Sequence, residues 1–183
     1  MIKELIMEIK TIKKEKKDLE KRVNELEDKV YYKDEINLIY YANNEGVYRI
    51  FGNEFVENNI DNIELNINEN KSKLVSECKL KKGDNNIKIK IKNKIKDLQH
   101  MFNSCDNLKN IEELKYLNVK YCTNFSYMFF DCSSLKDITP LKNWNVSNGN
   151  YFNRMFGFCS SLKDITPLKN WNLDKNAFNS IFK

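Results

Sequence analysis

The segment CSSLKDITPLKNWN occurs twice, from Cys132 to Asn145 and, letter for letter, from Cys159 to Asn172. The copies are offset by 27 residues, and a third, diverged copy, CDNLKNIEELKYLN, starts at Cys105 with the same offset. Upstream, Met101-Phe102, Met128-Phe129 and Met155-Phe156 keep the period, and a partial fourth unit begins at Leu173. Self-similarity at a fixed period of ~20–50 residues is the signature of repeat architectures. No other feature restricts the possible folds of this chain as strongly.

The diverged copy separates scaffold from recent duplication. Cys105/Cys132/Cys159, Leu108/Leu135/Leu162, Ile111/Ile138/Ile165, Leu114/Leu141/Leu168, Lys109/Lys136/Lys163 and Asn118/Asn145/Asn172 persist in all three copies. Leu117 becomes Trp144 and Trp171, so that position stays large and apolar. Ser133, Ser134, Thr139 and Pro140 match only between the two younger copies and need no structural reason. Phe125, Met128, Phe129, Cys132 and Leu135 have the spacing of one face of a short helix. Leu135, Ile138, Leu141 and Trp144 then recur at every third residue, a rhythm that fits a short strand and tight arcs. The expected fold class is therefore an α/β repeat solenoid with a short helix and a short strand in each 27-residue coil. It would occupy residues 98–183 as about three coils and an incomplete fourth.

These motifs resemble a known family. MF-x-x-CSSL-x-x-I-x-x-L-x-x-WNVSN is similar to the bacterial-surface-protein (BspA-like) leucine-rich repeat, which is expanded in some single-celled eukaryotes, and RIFGNEFVENN at Arg49–Asn59 resembles the segment before the repeats in its eukaryotic members. The resemblance implies a leucine-rich-repeat solenoid used in adhesion and protein binding, without catalysis. The chain departs from that pattern in having few repeats, no export signal and a heptad helix in front.

That helix is expected over residues 1–34. Ile2, Ile9, Val23 and Val30 fall at heptad position a, and Leu5, Ile12, Leu19 and Leu26 at d; Lys16 alone interrupts the stripe. A seam sustained over four heptads reads as a coiled coil, and β-branched residues at a with mainly Leu at d favour a parallel pair. Leu5, Ile9, Ile12, Leu19, Val23, Leu26 and Val30 are the expected oligomerisation residues of a homodimer. Across such a pair Glu8 attracts the partner's Lys13 and Arg22 the partner's Glu27, whereas Glu15 and the partner's Glu20 repel. The alternative is a helix folded back on its own domain.

Residues 35–97 switch to alternation and read as a β-rich N-terminal cap. INLIYY and GVYRIF flank ANNEG as a hairpin; NIELNI and SKLVSEC flank NENK; in IKIKIKNKIK, Ile87, Ile89 and Ile91 alternate with Lys88, Lys90 and Lys92. The Lys88–Lys96 row could attract a polyanion, but lysines of this kind also form a solvated face that discourages edge-to-edge aggregation.

The remaining chemistry is sparse. The net charge of +5 is spread along the chain, which makes nucleic acid a poor candidate partner. Five cysteines without a C-x-x-C pair fit neither a disulfide framework nor a zinc site, and the cysteine column reads as buried small hydrophobes. The single histidine, His100, has Tyr127 and Arg154 as its counterparts, an outward and tolerant position. No catalytic, cofactor or metal site is expected, and no cofactor is called for. Without an apolar span or a signal segment, the chain is expected to remain inside the cell; the cell surface is the family-based alternative, with an export signal lost from this chain. The expected function is a non-enzymatic protein–protein interaction module, presented as a coiled-coil oligomer. Its interaction face would be Lys109, Asn110, Glu112, Lys136, Asp137, Thr139, Lys163, Asp164 and Thr166.

Overall fold

The computed structural model describes residues 2–182, with residues 27–30 described by their backbone only. Two compact units are present, Met1–Lys33 and Asp34–Lys183.

The first unit is helix α1, Ile2–Tyr31. Its interior holds no Gly or Pro, and Lys, Glu, Leu and Ile suit a helix. The heptad stripe lies open: Leu5, Ile9, Ile12, Leu19, Val23 and Leu26 are 49–62% exposed. Val30, also assigned to that stripe, and Glu27, the expected counterpart of Arg22, are among the residues whose side chains lie outside the described ones.

The second unit is built on a five-stranded antiparallel sheet ordered β4-β3-β6-β1-β7. Strand β1 is Glu35–Ala42, β3 Ile63–Ile67, β4 Asn70–Ser72, β6 Gly83–Ile91 and β7 Leu108–Asn110. Strand β1 pairs with β6 along its whole length, Glu35 opposite Lys90 and Ala42 opposite Gly83. Alternation sets the faces: Ile36, Leu38, Tyr40, Ile87 and Ile89 are fully buried while the lysines between the isoleucines face outward. Strand β2, Gly46–Arg49, pairs with β5, Glu77–Leu80, in a separate two-stranded sheet. The hairpin expected around ANNEG is thus not formed, because β1 takes β6 and β7 as neighbours and β2 takes β5. A hairpin does follow β3, turning through Asn68 and Glu69, both at positive φ. Its second strand is β4 (Asn70–Ser72) rather than SKLVSEC, whose Glu77 and Cys78 belong to β5 and pair with β2. Asn68 is further tied to the buried Asn85, whose amide also bonds the Lys81 and Gly83 carbonyls.

The fold class differs from the expected α/β leucine-rich-repeat solenoid. The protein is a small domain of antiparallel sheet and helices, preceded by a long helix. Among the described residues, no segment of 98–183 pairs a short helix with a short strand in each 27-residue unit. The one strand there, β7, belongs to the antiparallel sheet, and the α-helix, α3 (Lys175–Ser180), lies near the end. The physical reason is in the backbone of the Met-Phe segments. His100 and Ser104, Tyr127 and Asp131, and Arg154 and Phe158 all have φ between 52 and 58°. A left-handed residue at every fourth position breaks the i→i−4 ladder that a helix requires. The amides divide instead into two sets. Met101, Asn103 and Cys105 donate to the carbonyls three residues back, and Leu98, His100, Phe102 and Ser104 donate to Asn124, Ser126, Met128 and Phe130 at 2.8–3.1 Å. Phe125, Tyr127, Phe129 and Asp131 donate in the same way to Tyr151, Asn153, Met155 and Gly157. The apolar spacing that reads as a helix face therefore comes from successive tight turns.

Side-chain hydrogen bonds explain the persistent letters. Cys132 Sγ donates to the Phe102 carbonyl and Cys159 Sγ to that of Phe129, each at 3.0 Å. Rings run from Phe51 through Phe102, Phe129 and Phe156 to Phe182 at centroid separations of 5.2–6.4 Å. At the β-rich end Gly52 closes this column: a Cβ there would fall 2.1 Å from the His100 carbonyl oxygen, and its amide donates to Met101. At the other end Ser180 and Ile181 supply carbonyls to Arg154 and Phe156.

Candidate functional site

Strand β7 lies at an edge of the five-stranded sheet, and beside it opens a groove of about 760 Å³. Strand β1 delivers Tyr41, the turn after it Asn43, β7 Lys109 and Asn110, and the following turns Ile111, Glu112, Lys136, Asp137 and Pro140. Five of the nine residues expected to form an interaction face meet here: Lys109, Asn110, Glu112, Lys136 and Asp137. Thr139, Lys163, Asp164 and Thr166 are not in its lining, where Ser161 is the sole residue from the copy that starts at Cys159.

Much of this polar surface is engaged internally. Lys109 reaches Asp84 at 2.9 Å and lies 5.2 Å over the Tyr41 ring. Glu112 pairs with Lys115. Asn110, Asp137 and Asp164 accept the backbone amides of Glu112, Thr139 and Thr166 at 2.6–2.8 Å. Those amides open the three 3-10 turns Glu112–Tyr116, Thr139–Leu141 and Thr166–Trp171. Side chains that hydrogen-bond the backbone two residues on are local turn builders. The Thr166 amide and hydroxyl hold the Asp164 carboxyl below its ordinary pKa. Lys163 donates to the Ser160 carbonyl. Lys136 is the exception: among the described residues it makes no ion pair or hydrogen bond, which leaves its charge available on the groove wall. Sequence reasoning missed Tyr41, Asn43 and Asp106. Tyr41 and Asn43 lie far from the copies in sequence, and Asp106 has serines as its counterparts, so periodicity flags none of them.

Two other candidates change character. The lysines of this row face carboxylates on adjoining strands: Lys88 and Lys90 of β6 lie 3.6 and 3.9 Å from Glu35, and Lys92, just after β6, lies 3.4 Å from Glu64. Lys94 caps the Tyr121 ring at 3.9 Å. His100 is not a tolerant outward position; it is half-buried, stacked 4.9 Å from Tyr127, with Nε2 3.2 Å from Glu54. Burial pushes the thiols of Cys78 and Cys159 up to about 11 and that of Cys122 to about 12, which keeps them protonated and unreactive near neutrality.

Fold and groove together define a class: a small antiparallel-sheet domain with an edge-strand groove, carrying a separate amphipathic helix. Residues 56–183 match a family described as "Mycoplasma protein of unknown function, DUF285", and the chain belongs to that family. Neither the curated proteins nor the solved structures give a match. No described helix is long and apolar enough to cross a membrane.

Proposed function

We propose that the protein is a non-enzymatic protein–protein interaction module, held in pairs by its N-terminal helix, with the groove beside β7 as its binding face. The open stripe of α1 carries this reading: six heptad residues from Leu5 to Leu26 are at least 49% exposed on one seam. An exposed apolar seam of this kind marks an interaction surface, and pairing two copies raises avidity without a new contact. The resemblance of the Met-Phe and cysteine motifs to BspA-like proteins supports a binding role. The internally matched charges around the groove suit the recognition of a polypeptide surface in which Lys136 seeks an acidic partner.

Light scattering on the full chain tests the pairing. The expected result is a dimer at micromolar concentration that Leu19→Lys converts to monomer with the second unit still folded by circular dichroism. A monomeric wild-type chain throughout that range would overturn the reading.

A further inference from the structure

We infer that a second copy of this chain occupies the α1 seam in parallel and in register, and that Lys16 with Glu15 forms the polar layer that sets this alignment. The inference rests on the pairing reading above. At a parallel a layer each side chain enters a hole made by four residues of the facing helix. For Lys16 those residues are Ile12, Glu15, Lys16 and Leu19 of the partner copy, so the ammonium meets the partner's Glu15. Within one helix Lys16 Nζ already lies 3.9 Å from Glu20, and both side chains are more than 60% exposed and free to reorient. Both lysines of an in-register pair then share one layer with Glu15 and Glu20 of each copy. The contact between Glu15 and the partner's Glu20, repulsive when taken by itself, becomes part of a cluster in which each of the two lysines is shared between its own Glu20 and the partner's Glu15.

Other alignments lose this compensation. A slip of one heptad sets Lys16 against Ile9 or Val23 and creates two layers that each bury a lysine beside an apolar residue. An antiparallel pair faces a with d, which sets each Lys16 against a Leu or Ile of the d series. Burying an ammonium without a partner is costly, so both arrangements are disfavoured. The first half of the helix reinforces the choice, since Glu8 attracts the partner's Lys13 only in this register.

Cysteine cross-linking of the full chain tests the alignment. Ile9 is exposed at a, so in Ile9→Cys two thiols face each other in the parallel, in-register pair. With diamide as oxidant, Ile9→Cys should form a covalent dimer. The wild type should not, because four of its five thiols are buried and Cys78 is half-buried. Lys16→Ile should lower the dimer dissociation constant by about tenfold and admit species larger than dimers. A dimer by light scattering without a covalent band in Ile9→Cys would overturn the alignment and leave pairing intact. A Lys16→Ile chain with unchanged affinity and size would overturn the role of the polar layer. A monomeric wild type would overturn both the alignment and the pairing.

Discussion

The indole Nε1 of Trp171 donates to the Leu141 carbonyl at 2.9 Å, and that of Trp144 donates to the Leu114 carbonyl at 2.8 Å. The two rings stack with a 7° interplanar angle. Each tryptophan thus satisfies a buried acceptor 30 residues back as well as filling space. Trp144→Phe should keep most of the packing yet remove one of the two hydrogen bonds to the Leu114 carbonyl, which keeps the Leu117 amide at 3.0 Å, at a cost of ~0.5–1.5 kcal/mol. Urea unfolding followed by circular dichroism would measure it; a change below ~0.5 kcal/mol would mean that the hydrogen bond contributes nothing.

The ring column makes a second distinction. Phe129 is fully buried between Phe102 and Phe156, whereas Phe158, two residues after Phe156, is 71% exposed. Phe129→Ala is expected to cost ~3–5 kcal/mol. Phe158→Ala should remain within ~0.5 kcal/mol, as surface changes usually do. Equal effects in a denaturant titration would contradict the layered packing.

Gly52 allows a close approach that no other residue permits. Gly52→Ala should force apart the turn before α2 (Asn53–Asn59) and the His100 carbonyl, and so lower the unfolding midpoint. Gly46→Ala is the control, since a Cβ there meets its nearest neighbour at 3.5 Å, an ordinary contact. A Gly52→Ala midpoint equal to that of the control would refute the close contact.

Buried thiols link stability to alkaline pH. Desolvation raises Cys78 and Cys159 to about 11 and Cys122 to about 12, above the value of 9.0 for a free thiol. Below about pH 9 both folded and unfolded chains hold these protons, and the stabilising difference is fully present. As pH rises from there toward the folded values, the unfolded chain ionises first and stability falls. Unfolding midpoints at pH 7, 9 and 10 should therefore decline, and less steeply in Cys122→Ala. An identical decline in that variant would reject the assignment to this thiol.

Asp137 and Lys136 are neighbours on the groove wall with opposite structural standing. Asp137 accepts the Thr139 amide at 2.8 Å and so opens a 3-10 turn. Asp137→Ala should lower the melting temperature, while Lys136→Ala should leave it unchanged and act only on partner binding. If the two melting temperatures respond alike, the turn-building role of Asp137 fails.

Alternation in IKIKIK identified the buried face of β6, and the heptad identified the open seam of α1, because each pattern reports a side chain's direction within a single element. The 27-residue columns placed Cys132, Trp144 and Phe129 inside the core. The same periodicity misassigned the Met-Phe segments as helices, since spacing 3, 1, 3, 3 is shared by a helix face and by a run of turns with left-handed residues. It also marked Asn110, Asp137 and Asp164 as part of an interaction face, and in the fold one side-chain oxygen of each accepts a backbone amide two residues on.

By itself the sequence determined which residues are apolar together and at what period, hence the core positions, the open helix seam and the columns 27 apart. Only the tertiary structure decided that β1 joins β6 and β7 rather than β2, and that Tyr41 and Asn43 meet Lys136 at one groove. The reason is physical. Local patterns encode which way a side chain points within its own segment. Strand partners, by contrast, are chosen by the burial and hydrogen bonding that distant segments achieve against one another.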